Sequence, residues 1–538
     1  RADWLRSFVC TFDGDWRNLD CCRRTASEVG ITMSWLSALI ALPTIGALAI
    51  GLIRPLNDKQ VRQAGFVVAL ATLAITIGMV LQFDPNSSSA MQFVESYTWI
   101  SSFGVNFALG VDGISIVLIA LAAILVPVVL LAGWSESEGH RGSVRQYVVL
   151  TLITEAMMIG VFAATDVFLF YVFFEAILIP MYFLIGRFGG ARATYAAVKF
   201  LLYSLVGGLF MLASLIGLWV AARNELGTGT FDWATLTTLN IDSGTQNWLF
   251  LGFFIAFAIK APLFPFHTWL PDAAGEATPG SATLLVGVLD KIGTFGMLRY
   301  CIPLFPLASA YFTPLVIVLS VIGIIYGALL AIGQSDIKRL IAYTSVSHFG
   351  FIALGIFAFT SQGQSGAALY MVNHGFSTAA LFLIAGFLMS RRGSRFIEDF
   401  GGVSKVAPLL AGSFLIAGLS SLALPGLSSF VSEFLVLTGT FTRYPVPAII
   451  ATLGIILAAL YILLMVQRTM TGEPSEEVSS TVTEITTREK VAIAPVLAVI
   501  VLLGFFPQVV LNIVNPAVDR VMAVVNAVDP APSEGANK

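Results

Sequence analysis

Between residues 34 and 514 the chain is a succession of apolar runs, each about 20 residues long, separated by short polar turns. A run of that length crosses the hydrocarbon of a bilayer as a helix, which satisfies its own backbone N–H and C=O groups where no water can. The fold class that follows is an all-α polytopic membrane protein. Composition agrees: 57% of the 538 residues are hydrophobic and 11% are charged, against about 25% charged in a soluble domain. A formal net charge of −3 with no basic patch gives no reason to expect a nucleic-acid partner.

The runs fall at about 34–53, 64–83, 112–133, 147–165, 167–186, 199–222, 247–269, 278–302, 311–332, 338–359, 366–390, 405–438, 446–467 and 491–514, giving about fourteen transmembrane helices. Loop charge supports the count. With the first loop taken as cytoplasmic, the loops on that side hold Arg54, Lys59, Arg62, Arg141, Arg145, Arg187, Arg192, Lys199, Lys338, Arg339, Arg391, Arg392, Arg395, Lys405, Arg468, Arg488 and Lys490, whereas the opposite loops hold Arg223, Arg299 and Arg443. That asymmetry follows the positive-inside rule with both termini outside the cytoplasm. The polar stretch 84–111 alternates apolar positions such as Val105, Phe107 and Leu109, which predicts a short hairpin outside the membrane. Residues 470–489 form the main polar cytoplasmic loop. Residues 1–32 are polar, lack the apolar core of a signal peptide and read as an extension ahead of Met33.

Two runs carry proline beside an ionisable group. The seventh holds Lys260, Pro262 and Pro265; the twelfth holds Pro425, Gly426 and Glu433. Interior proline breaks a helix, and the freed carbonyls must then meet protein or water. The two broken helices lie five runs apart and so run in opposite directions, as two inverted five-helix repeats would produce. The expected organisation is an N-terminal extension (1–32), three leading helices with an external loop (33–146), a first repeat (147–302), a second repeat (303–467), and a C-terminal loop, helix and tail (468–538).

Charges stranded in these runs are the chemical signal. An ionised side chain at mid-bilayer costs about 3 kcal/mol or more, so it persists where it faces protein or water. Glu175, Lys260, Lys291 and Glu433 all lie deep in apolar sequence. Desolvation favours the neutral form of an acid or a base, and pairing favours the charged form of both. A Glu175–Lys260 pair that opens and closes is therefore a proton switch; the bland alternative is a structural ion pair. Lys291, one run further on, suggests a shared mobile proton rather than two fixed charges. His348 and His374 suit proton relay or hydrogen-bonded packing, and bis-histidine haem ligation is a further alternative. Glu433 reads as the outlet. Glu155 either tunes Glu175 or is structural; Asp290, beside Lys291, either serves the path or is structural, since adjacent helical residues point in different directions. His267 reads as loop structure or proton uptake. Cys10, Cys21, Cys22 and Cys301 show no metal-ligand spacing, so no cofactor or metal is expected in this chain.

The segments FFEAILIPMYFLIGRFGG, YAAVKFLLY, AIKAPLFPFHTWLPDA, DIKRLIAYTSVSHFGFI and NHGFSTAALFL closely resemble the antiporter-like subunits of respiratory complex I. Within that family the M-type subunit is the best fit, with Glu433 where its relatives commonly carry lysine and with no long lateral helix after the last span. One departure is Ala274, where the family loop usually has histidine, which puts in doubt a proton-uptake role for that loop position. The resemblance implies proton translocation during electron transfer from NADH to a quinone. NADH, FMN, iron–sulfur clusters and quinone would be held by partner subunits, and the site is a bacterial cell (inner) membrane. It implies that Glu175 and Lys260 form the switching pair, that Lys291 and His348 relay along the membrane plane, and that Glu433 faces the outlet. A Mrp-type sodium/proton antiporter or membrane-bound hydrogenase subunit is the alternative within this resemblance. A self-contained redox enzyme or a scaffold lies outside it.

Overall fold

The computed structural model describes residues 34–53 and 55–530; the N-terminal extension with Cys10, Cys21 and Cys22, and also Arg54, lie outside the described residues. The principal helices are α1 (Trp35–Leu52), α2 (Asp58–Gln82), α3 (Gly113–Ala132), α4 (Val144–Ala163), α5 (Val167–Phe188), α6 (Ala193–Leu226), α7 (Ser243–Lys260), α8 (Pro279–Leu304), α9 (Pro306–Ile332) and α10 (Ile337–Phe357). They are followed by α11 (Ser361–Arg392), α12 (Pro408–Ser421), α13 (Ser428–Arg443), α14 (Pro445–Met470), α15 (Thr487–Phe505) and α16 (Gln508–Val524). The expected hairpin is present as antiparallel strands β1 (Gln92–Ile100) and β2 (Val105–Val111). Its Glu95 accepts from the backbone N–H of Leu36 at 2.8 Å, satisfying a donor at the start of α1 that the helix itself leaves free.

Polar caps set the helix starts. Asn57 and Gln60 form a capping box that draws three polar residues into the first turn of α2, so the helix begins ahead of the apolar run. Asp112, Asp166 and Asp336 each accept two backbone N–H groups at the starts of α3, α5 and α10.

Among the described residues, eleven helices are long and apolar enough to cross a membrane, or twelve if the bent pair α15–α16 is one span. The expected count of about fourteen differs for a physical reason. The seventh run was expected to stay helical to residue 269, but α7 stops at Lys260, just ahead of Pro262. The twelfth divides into α12 and α13 around Pro425–Gly426. Neither segment meets the length and apolarity of an uninterrupted span. The last run, expected as one helix to residue 514, turns by 70° between Phe505 and Gln508, next to Pro507, and α16 runs on to Val524. α16 buries Val510, Leu511, Val514, Val518 and Met522, the face of an amphipathic helix rather than of a continuing span.

Burial separates centre from rim. The most apolar stretch of α8 is 100% buried and those of α10 and α11 are 94% buried, whereas the same measure is 28% for α1 and for α2 and 39% for α14. The rim helices expose leucine and isoleucine side chains such as Leu52, Leu81 and Ile456, which suits lipid contact. The helix carrying Lys291 is thus enclosed by protein on all sides.

Candidate functional site

A line of titratable groups, starting from the half-buried Glu175 and otherwise buried, crosses this centre. Glu175 lies on α5 just before a local irregularity at Ile177, and Lys260 is the last residue of α7, where the negative end of the helix dipole favours a cation. Electrostatic interaction couples the two side chains. They make no ion pair, and both Lys260 Nζ and Glu175 Oε1 are buried without a hydrogen-bond partner. Lys260 Nζ instead stands over the Phe174 ring at 4.6 Å and the Phe200 ring at 6.0 Å, contacts worth about 2 kcal/mol when desolvated. The two side chains expected to pair are not in contact here.

Gly208 of α6 leaves the space that the carboxylate fills: a Cβ at this position would lie 1.6 Å from Glu175 Oε1. The atom in the way is the far end of a flexible side chain, so Gly208→Ala is expected to displace Glu175 rather than unfold the helix. In the assembled protein, proton transport should fall several-fold while the amount of membrane-inserted chain stays unchanged.

Lys291 lies in α8 after a turn wider than α-helical over Leu285–Leu289, a distortion that recurs at functional sites. Its Nζ donates to the Val286 carbonyl at 2.5 Å and meets His374 Nδ1 at 2.7 Å. With lysine donating, Nδ1 accepts, and the neutral ring carries its proton on Nε2, which faces Thr378 Oγ1 at 3.2 Å. The His374 and His348 rings then meet edge to face, with centroids 5.2 Å apart. His348 Nε2 lies 3.4 Å from the Tyr461 hydroxyl, and both Tyr461 and Tyr370 interact electrostatically with Glu433. Glu433 is 3% exposed.

The order differs in one respect from the sequence reading. The resemblance implied His348 beside Lys291 in the relay, but His374 is the histidine that touches Lys291. Tyr370 and Tyr461 were missed altogether. So was the hydroxyl cluster at the α12–α13 break, where Ser377 meets Ser420 at 2.6 Å and Ser429 at 3.2 Å, while Asn373 donates to the Ser428 carbonyl at 2.6 Å. The serine-rich sequence around Pro425 was the available signal. Glu155 is fully buried with neither carboxylate oxygen hydrogen-bonded. His267 packs between Phe264 and Tyr326, away from Lys291 and the paired histidines. The contact between the two histidine rings leaves no room for a porphyrin between them. Among the described residues, no cluster of three or more His, Cys, Asp or Glu is arranged to hold a metal ion.

Next to the start of α8 lies a cavity of about 400 Å³, lined in part by Glu136, His140, Glu276 and Lys338. Glu136 accepts from the Gly280 N–H at 2.9 Å and the Tyr147 hydroxyl at 3.2 Å; burial outweighs these bonds and pushes its carboxyl above the usual range. Around this cavity, ion pairs join loops that the charge pattern put on one side. Asp272 binds Lys199 and Arg339, each at 2.7 Å, and Arg395 binds Glu276 at 3.1 Å and Asp336 at 2.9 Å.

Residues 164–460 match the family described as NADH:quinone oxidoreductase/Mrp antiporter, TM. The chain belongs to this family. The match includes every residue of the buried line except Glu155 and Tyr461. The chain is 50% identical over 533 residues to NADH-quinone oxidoreductase subunit M of Mycobacterium tuberculosis, covering 93% of this chain and 96% of that protein. It is 38% identical to NADH-ubiquinone oxidoreductase chain 4 of Arabidopsis thaliana, over 90% of this chain and 97% of the relative. Among solved structures it resembles a chain of respiratory complex I from Thermus thermophilus, with a TM-score of 0.82, 32% identity, and coverage of 91% of this chain and 99% of that one. A chain of the Mrp complex from Dietzia shares the fold, with a TM-score of 0.80 at 21% identity over 92% of this chain and all of the other.

Proposed function

We propose that this chain is a proton-translocating membrane subunit of an NADH:quinone oxidoreductase, of the M type. The observation that carries this reading is the buried line of titratable groups through helices enclosed by protein, in a chain 50% identical to a subunit M. Glu175 and Lys260 act as the switch. Lys291, His374 and His348 pass the proton along the membrane plane, and Tyr461 and Glu433 lead to the outlet. Glu155 is a lower-ranked member of the path. Flavin, iron–sulfur and quinone chemistry belongs to partner subunits, and neighbouring antiporter-like subunits abut this chain in the membrane.

Fourteen crossings fit this reading, with α7 and the α12–α13 pair completing the span count despite their breaks. The ion pairs Lys199–Asp272 and Arg391–Glu489 support it, because each joins loops that lie on one side only if α7 and the α12–α13 pair, respectively, cross the membrane. The two inverted repeats then comprise residues 147–302 and 303–467, and both termini lie opposite the arginine- and lysine-rich face in a bacterial cell membrane. The likeness to the Mrp complex is one of fold alone, so the oxidoreductase reading is preferred over an antiporter. Co-purification tests it: peripheral NADH-oxidising subunits should accompany the chain from detergent extracts, and their absence from an otherwise intact multisubunit assembly would reject the assignment.

A second test addresses the outlet. Glu433→Lys keeps a titratable group that interacts with Tyr370 and Tyr461, whereas Glu433→Ala removes it. Proton transport in vesicles is expected to be several-fold higher for the lysine variant than for the alanine variant. Equal transport by the two would show that titration at this position is not used.

A further inference from the structure

Asp290 is a buried charge with no role in the path described so far. It is 0% exposed, and neither carboxylate oxygen has a hydrogen-bond partner. An unsatisfied carboxylate in such a place is strongly unfavourable, so an ordinary packing role does not account for an aspartate here. Its sequence neighbour Lys291 is turned elsewhere, toward Val286 and His374. Asp290 shares a helix face with Gly293, three residues on. That face is pressed against the end of α7: a Cβ at Gly293 would lie 2.5 Å from the Phe257 carbonyl and 2.6 Å from the Ala261 nitrogen, the backbone on either side of Lys260. Asp290 interacts electrostatically with both Lys260 and Lys291.

We propose that Asp290 is a proton-carrying group between Lys260 and Lys291, so that the lateral path runs from lysine to carboxylate to lysine. This rests on the proton-path reading given above. The step conserves atoms and charge. An N–H bond of the Lys260 ammonium breaks, and an O–H bond forms on the Asp290 carboxylate. That O–H bond then breaks as the proton reaches the neutral amine of Lys291, directly or through water, and the carboxylate is regenerated. A carboxyl in this position solves a problem that two lysines leave. Two ammonium groups on adjacent helices repel each other, and an anion between them lets the charge approach Lys291 without that penalty. The wide turn at Leu285–Leu289, where the Asp290 N–H reaches back to the Leu285 carbonyl at 3.1 Å, orients the two neighbouring side chains to different helices.

The test compares Asp290→Asn, Asp290→Glu and Glu175→Gln in the intact complex, in inside-out membrane vesicles. NADH-driven proton uptake is normalised to assembled complex, measured as NADH oxidation by an artificial electron acceptor. Asp290→Asn keeps shape and polarity but cannot titrate, and should lower uptake roughly tenfold; Asp290→Glu should restore most of it. Normal uptake by Asp290→Asn, or no recovery in Asp290→Glu, overturns the proposal. Glu175→Gln separates the two levels of the argument. If it abolishes uptake while Asp290→Asn does not, only the role of Asp290 fails; if it pumps normally, the proton-path reading itself fails.

Discussion

Glu175→Gln is expected to reduce proton pumping to about a tenth of the unsubstituted level or less, with the chain still inserted and assembled. The amide matches the carboxylate in size and fits beside Gly208, so the close approach there is kept. It makes no demand for a counter-charge, and Glu175 Oε1 has no hydrogen bond to lose. What disappears is the charge that Lys260 senses. With no anion to pair with, the lysine has one environment instead of two, and its proton affinity no longer alternates. Vesicle acidification measured alongside complex content checks this, and pumping at the normal stoichiometry would remove Glu175 from the switch.

Lys260→Ala is expected to have an effect of the same size by the complementary route. Lys260 Nζ is held by the faces of Phe174 and Phe200 rather than by a hydrogen bond, so its removal costs little packing polarity. It leaves Glu175 as an uncompensated half-buried acid, which takes up a proton and keeps it. With the two residues proposed as one device, the double variant should pump no worse than either single variant, a non-additivity that a thermodynamic cycle reads directly. Losses that multiply would mean that the two groups serve separate steps. The scale of the task explains why a passive ion pair is not enough. Moving one charge against 100 mV costs about 2.3 kcal/mol, so partner subunits must bias the pair with redox energy.

Most helix positions could be read from hydropathy, because in hydrocarbon the apolar run and the helix coincide. The failures cluster where another constraint intervened. α2 starts early because Asn57 and Gln60 cap it outside the apolar run. α7 ends early at a basic residue before Pro262, and α15 bends near Pro507 into an amphipathic helix. Prolines marked both places in the sequence, but the direction taken by the chain afterwards depends on tertiary packing. At the site, the ionisable residues were conspicuous because apolar surroundings make each one costly. Tyr370, Tyr461 and the buried serines were not, since hydroxyls occur throughout membrane helices and only packing shows which of them meet. The contact of His374 with Lys291 likewise depends on the relative rotation of α8 and α11, which no spacing in the sequence specifies.

In the proposed path the acids, lysines and histidines face a connected polar interior. A density map of the assembled complex, sharp enough to show ordered water, tests it most directly. Water or hydroxyl contacts at hydrogen-bond spacing are expected to join Lys260 through Asp290, Lys291, His374 and His348 to Glu433. A dry apolar gap anywhere along that line in every functional state, or Lys260 and Lys291 turned outward to the lipid headgroups, would contradict it.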